Sequence, residues 1–263
     1  MARIALGLEY DGSRFCGWQT QANACAVQDV LEAALSQIAG ETLNVASAGR
    51  TDAGVHALAQ VVHFDTQVER PESAWVRGVN ALLPSAVSIR WARMVAPAFH
   101  ARFSAQARCY RYLLLNRPTR PGLAAARIGW YHAPLDLESM QQGANLLLGE
   151  HDFSAFRAAE CQAKTPVRNL TNLRIQRRND CIIFDLRANA FLHHMVRNIV
   201  GALVYVGNGK HPATWIAEIL NGRDRKFAAP TFAPDGLYLS AVEYAGQWEI
   251  PSRPEEILEL GQF

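Results

Sequence analysis

With 263 residues, 49% of them hydrophobic and 19% charged, the chain is too apolar to be disordered and long enough for one large domain or two of about 100 to 150 residues. The N-terminus turns polar after about eight residues and no later apolar run reaches bilayer-spanning length, which argues against a signal peptide and a transmembrane helix and leads us to expect a cytoplasmic protein with no membrane contact. The formal net charge of +2 hides an uneven distribution: residues 73–135 hold nine arginines and no acidic residue, leaving 17 basic against 24 acidic side chains elsewhere.

In chain order, "ARIALGLEY" reads as a strand ending at the turn signal "DGS". "VQDVLEAALSQIAG" repeats apolar residues at helical spacing (Val27, Val30, Leu31, Ala34, Leu35, Ile38), with Gly40 as its stop. "TLNVASA" and "LAQVVHFDT" read as strands, "ESAWVRGVNALLP" as a helix and "VSIRWARMV" as a strand. The order β-α-β-β-α-β then recurs: strand "RCYRYLLLN", helix "LDLESMQQGANLLLG", hairpin "TNLRIQRR" with "CIIFDLRA", helix "FLHHMVRNIVGALVYVG", an extra short helix "PATWIAEILNG" and a last strand "GLYLSAVEY". Two such split modules predict an α+β architecture, with helices on one side of largely antiparallel sheets that join around a central cleft. The expected divisions are an N-terminal α/β subdomain over 1–104, a C-terminal one over 105–246 and a peripheral extension over 247–263.

Positive charge concentrated among aromatic residues (Phe99, Phe103, Tyr110, Tyr112) is the footprint of a phosphate-backbone binder, and RNA or DNA is the favoured partner; a solvated basic face has the same composition. A second acid-free run, Cys161 to Asn179, adds five more basic residues. The five cysteines are scattered with no C-x-x-C pair and read as reduced thiols.

The stretch "AGRTDAGVHA" sets Asp52 between Gly49 and Gly54, with Arg50 on one side and His56 on the other. Glycines let such a loop aim a carboxylate into a cleft, although an Asp beside Gly also commonly closes a turn. An aspartic protease needs a second D-[ST]-G and a retaining glycosidase a second carboxylate, and the sequence nominates neither. His193 and His194, expected on different sides of a helix, are no i, i+4 chelate, H-E-x-x-H is absent, and no metal is expected. Asn189 is placed to cap the following helix, with Arg197 in its interior.

Taken together, "YDGSRFCGWQ", "AGRTDAGVHA", "FHARFSAQARCYRYLLLN" and "FLHHMVRNIVG" resemble the TruA family of tRNA pseudouridine synthases, in order, from about Ile4 to Tyr244. The resemblance implies the pseudouridine synthase fold, isomerisation of uridine to pseudouridine at positions thirty-eight, thirty-nine and forty of the tRNA anticodon stem-loop, a homodimer and no cofactor. It makes Asp52 the catalytic carboxylate, sets Tyr110 against the uridine, pairs Arg197 with Asp52, and offers Arg50 to fill the space of a flipped-out nucleotide. One carboxylate suffices for this reaction, which removes the objection that a second is missing. His56 receives no chemical role from either reading.

Overall fold

The computed structural model describes residues 1–251. In chain order it contains β1 (Ala2–Tyr10), α1 (Val27–Ala39), β2 (Ala46–Ser47), β3 (His56–Thr66), a π-type helical turn (Ala74–Gly78), β4 (Val87–Val95), β5 (Ala105–Asn116), β6 (Gly129–Tyr131), α2 (Leu137–Asn145), β7 (Gly149–Asp152), β8 (Val167–Arg178), β9 (Cys181–Ala188), α3 (Met195–Gly207), α4 (Trp215–Gly222) and β10 (Leu237–Tyr244). Among the described residues no helix is long and apolar enough to cross a membrane.

Two compact units divide these elements: Met1–Gln106 together with the described residues from Tyr238 onward, and Ala107–Leu237. The first unit orders its strands β4-β1-β3-β10, with the short β2 also on β3. β1 is antiparallel to both β3 and β4, whereas β10 meets β3 in parallel at Tyr238–His56 and Leu239–Ala57. α1 buries Val27, Leu31, Ala34, Leu35 and Ala39, one face of the helix. Full burial of a Leu such as Leu31 or Leu35 contributes about 2 kcal/mol. Asp29 accepts the Ala26 N–H at 2.8 Å at the start of the helix, and Gly40 ends it. A separate cluster of Ala5, Ala48, Val61, Phe99 and Ala101 is closed over by Trp91, Val95, Val242, Tyr244, Trp248 and Ile250.

The second unit orders its strands β5-β9-β8-β7, with β6 added to β5 in parallel. β8 and β9 form the expected hairpin, turning tightly at Asn179 (φ 51°) and Asp180. Asp136 starts α2 by accepting the N–H groups of Glu138 and Ser139, and these bonds, with that of the Ser139 hydroxyl, hold its carboxyl below the usual range. α3 is apolar almost all round, and its one fully buried polar residue, Asn198, is satisfied: its amide donates to Phe156 O at 2.7 Å and its Oδ1 accepts from Thr231 and Arg225. The mixed α+β class holds, with sheets that are largely antiparallel.

The chain departs from the expected divisions at its end. β10, placed by its position in sequence with the second half, belongs to the first unit, because Tyr238 stacks on His56 at 4.7 Å and Tyr244 packs on Phe99 at 5.2 Å. Nor is the start of the tail peripheral, since Trp248 meets the buried Phe99 edge-on at 5.5 Å. The rest of that extension, 252–263, lies outside the described residues.

Candidate active site

The Asp52 loop joins β2 to β3 and is held from four sides. The hydroxyls of Thr51 and Tyr10 are 2.7 Å apart in a buried pair, and burial pushes the Tyr10 phenol well above its ordinary range. The side-chain amide of Gln60, a fully buried residue, donates to Gly49 O at 2.7 Å. Trp18 donates its backbone N–H to Thr51 O at 3.0 Å, and Val55 N–H closes a turn onto Asp52 O at 3.1 Å. Gly54 has φ 79°, a left-handed conformation that a side chain would strain. The outcome is a graded loop: Thr51 faces inward, Asp52 is half-buried and Arg50 is exposed.

His56 closes the far end of this loop and takes the position for which the sequence supplied no role. It is 2% exposed, and its Nδ1 accepts the backbone N–H of Gly12 at 3.1 Å while its ring stacks on Tyr238. The Asp11 carboxylate lies 3.2 Å from the same nitrogen. Gly12 N–H and the Asp11 carboxylate therefore converge on one ring nitrogen, and both belong to the same turn. Gly12 approaches the loop so closely that an added Cβ would lie 2.0 Å from Val55 O. The turn "DGS" is thus a brace for the Asp52 loop.

A second brace comes from residues read as free thiols. Cys16 and Cys25 form a disulfide, with Cα atoms 5.5 Å apart. The correction has a simple cause: Cys16 N–H bonds to Cys25 O at 3.0 Å, so the chain doubles back and brings together thiols nine positions apart. Trp18, 2% exposed, lies inside this closed loop and delivers the hydrogen bond to Thr51. Among the described residues Cys109, Cys161 and Cys181 stand outside the disulfide, and burial raises the Cys181 thiol.

Tyr110 and Arg197 belong to the second unit, whereas Asp52 and Arg50 belong to the first. Tyr110 stands on β5 opposite Leu186, 8% exposed, with its ring edge-on to Phe191 at 5.0 Å. Arg197 is not interior to its helix. α3 starts at Met195 after His194 (φ 62°), which puts Arg197 in the first turn, and Asn189 instead accepts the N–H groups of Asn169 and Ala190. Arg197 is clamped reciprocally to Phe232: its Nε donates to Phe232 O at 2.8 Å and its own carbonyl accepts the Phe232 N–H at 3.2 Å. His193 and His194 do not diverge across a helix as expected, because both precede it and their rings pack 4.1 Å apart.

The arginine-rich segment is less bare in three dimensions than in sequence. Arg90 pairs with Glu9 at 2.6 Å and Arg111 with Asp185 at 2.7 Å, while Arg93 approaches Glu72 and Arg117 approaches Asp180 at 3.9 Å. Its acidic partners come from other strands and turns, which a count along the chain cannot register. The braces Tyr10, Gly12, Trp18 and Gln60 share no residue type or element: they come from the end of β1, the turn and loop after it, and β3.

Three relatives match nearly the whole chain, and one family model matches about three quarters of it. The model for tRNA pseudouridine synthase matches residues 8–104 and 144–245. A protein of Methylobacillus flagellatus named tRNA pseudouridine synthase A is 57% identical over 259 residues, covering 98% of this chain and 99% of its own. Proteins of the same name from Dechloromonas aromatica and Aromatoleum aromaticum are 57% and 59% identical, covering 98% and 95% of this chain and 98% and 94% of their own. With matches of this identity and length, the chain belongs to the tRNA pseudouridine synthase family.

Proposed function

We propose that the protein isomerises uridine to pseudouridine in the anticodon stem-loop of tRNA, at positions thirty-eight, thirty-nine and forty, with Asp52 as its catalytic carboxylate. The observation that carries the assignment is the Asp52 loop itself: a half-buried carboxylate on a backbone braced by buried hydrogen bonds, in a chain of this family. Preorganisation of this kind is what a group acting on a transition state requires.

The reaction balances without a cofactor. The bond from C1′ to N1 breaks, uracil turns in place, a bond from C1′ to C5 forms, and the proton lost from C5 is matched by one gained at N1. Asp52 acts as nucleophile or as the counter-charge to the sugar cation. Tyr110 stacks on the base, and its phenol assists removal of the C5 proton. Arg197 pairs with Asp52 and favours the ionised carboxylate. A paired uridine has to leave the stem before C1′ can be reached, and Arg50, exposed on the same loop as Asp52, occupies the space it vacates. The enzyme works as a cytoplasmic homodimer.

The test is Asp52→Asn. Pseudouridine formation is lost while tRNA affinity stays within a few-fold; conversion at the wild-type rate overturns the assignment, and free uracil as the main product would make the protein a hydrolase instead. Sedimentation of the wild-type protein checks the dimer.

A further inference from the structure

The turn His100–Ser104 lies between β4 and β5 and has no part in the chemistry above. It presents Phe103 with 76% of its surface exposed on a backbone fixed by several hydrogen bonds. The Ser104 N–H donates to His100 O at 2.8 Å and the His100 N–H to Ser104 Oγ at 3.0 Å. The His100 ring nitrogen Nδ1 accepts two successive backbone N–H groups, from Arg102 at 3.1 Å and Phe103 at 3.4 Å. The turn is anchored below by fully buried neighbours, Phe99 and Ala101; Ala101 donates its N–H to His63 Nδ1 at 3.2 Å and accepts from the Tyr244 hydroxyl at 2.6 Å. Arg3 reaches across to Phe99 O at 2.8 Å.

On this pedestal the side chains make one group. The His100 ring backs Phe103 at 4.3 Å, and the guanidinium of Arg102 sits 5.7 Å from the centre of the same ring. Both Arg102 and Phe103 face solvent. A lone exposed Phe needs no explanation, but an exposed ring held by a bonded turn and flanked by a cation is a preformed stacking surface that loses little freedom when a ligand arrives. The surrounding charge selects the ligand. The Arg102 guanidinium beside the Phe103 ring sets positive charge at the stacking surface, which favours a ligand that carries phosphate.

We propose that the His100–Ser104 turn is an RNA-binding subsite, in which Phe103 stacks on an unstacked nucleobase of the substrate tRNA and Arg102 meets an adjoining phosphate. This rests on the tRNA reading above and adds to it a contact outside the catalytic loop. Aromatic rings and guanidinium planes are the usual platforms for splayed-out bases, and stacking tolerates any base identity.

The experiment measures tRNA binding across a salt series for the full-length wild type, Phe103→Ala, Phe103→Trp and Arg102→Gln, with melting and sedimentation of each. Phe103→Ala weakens binding about 5- to 100-fold with an unchanged salt slope and an unchanged melting temperature, and Phe103→Trp restores it. Arg102→Gln weakens binding and reduces the slope by about 0.7 to 0.9. Binding within two-fold of wild type for both Phe103→Ala and Arg102→Gln overturns the subsite, as does loss of the dimer in Phe103→Ala, which would make this surface an interface between copies. If the wild type itself neither binds tRNA nor forms pseudouridine, the functional reading fails; if it does both and the variants match it, the subsite alone fails.

Discussion

The backbone N–H of Gly12 ends on the ring nitrogen of His56, 3.1 Å away, and ties the first turn of the chain to the residue that leaves the Asp52 loop. That single bond joins two sequence motifs 44 positions apart. It converts a histidine without evident chemistry into a support for the carboxylate four residues before it.

Gly12→Ala tests the brace from its backbone side. A methyl group there would meet Val55 O at 2.0 Å, so the turn and the loop must separate. A displacement of about 1 Å at a reacting group costs on the order of 100-fold in rate. Single-turnover pseudouridine formation is expected to fall by that order while tRNA binding changes little; an unchanged rate would show that the Asp52 loop is positioned without this contact.

His56→Ala tests it from the other side. It leaves the Gly12 N–H buried without its acceptor, a loss of about 1 to 3 kcal/mol, and removes the stack on Tyr238. Urea unfolding is expected to shift by that amount, and kcat is expected to fall more than KM rises. His56→Gln, which can still offer an acceptor, should recover part of both.

Acid sensitivity should come from His63. Burial first, then His100 and Arg3, lower its pKa from 6.5 to about 4, with Asp65 and the Ala46 backbone opposing; His100 is itself lowered by burial. The folded protein therefore takes up this proton later than the unfolded chain. Its contribution to stability is complete above about pH 6.5 and is lost as the pH falls toward 4. Part of the shift is screened by solvent, so about 2 kcal/mol is expected between pH 7 and pH 4.5. Urea midpoints measured across that range check the slope, which His63→Gln should flatten.

Thiol chemistry should distinguish the five cysteines. Without reductant, denatured protein is expected to titrate three thiols, from Cys109, Cys161 and Cys181, and all five after reduction. Opening a loop of this length lowers stability by about 2 to 3 kcal/mol. Since Trp18 within it bonds to Thr51 O, reduction should also slow catalysis modestly. Five thiols in the unreduced protein would refute the pairing.

Where periodicity is strong and local, the sequence was readable: the helix at Val27–Ala39 and the strand at Val87–Val95 occupy the expected residues. Local signals failed where a backbone angle decided the outcome. His194 at φ 62° delays α3 until Met195, a conformation that no apolar repeat discloses, and it shifted the readings of Asn189, His193 and Arg197 together. The short strands Gly129–Tyr131 and Gly149–Asp152 carry too few residues to alternate visibly. Asp52 itself stood out because its loop is compact in sequence. The residues that hold the loop did not, because Tyr10, Gly12, Trp18 and Gln60 converge only after the strands pair.

The placement of β10 has a consequence for how the protein comes into being. A ribosome releases the chain from its N-terminus, and residues 107–237 form a unit continuous in sequence that can close as soon as it emerges. The earlier unit cannot: the ring that covers His56 belongs to Tyr238, made some 180 residues later. The loop bearing Asp52 is therefore among the first parts translated and among the last to be finished, so a truncated product lacking β10 is born with that loop incomplete.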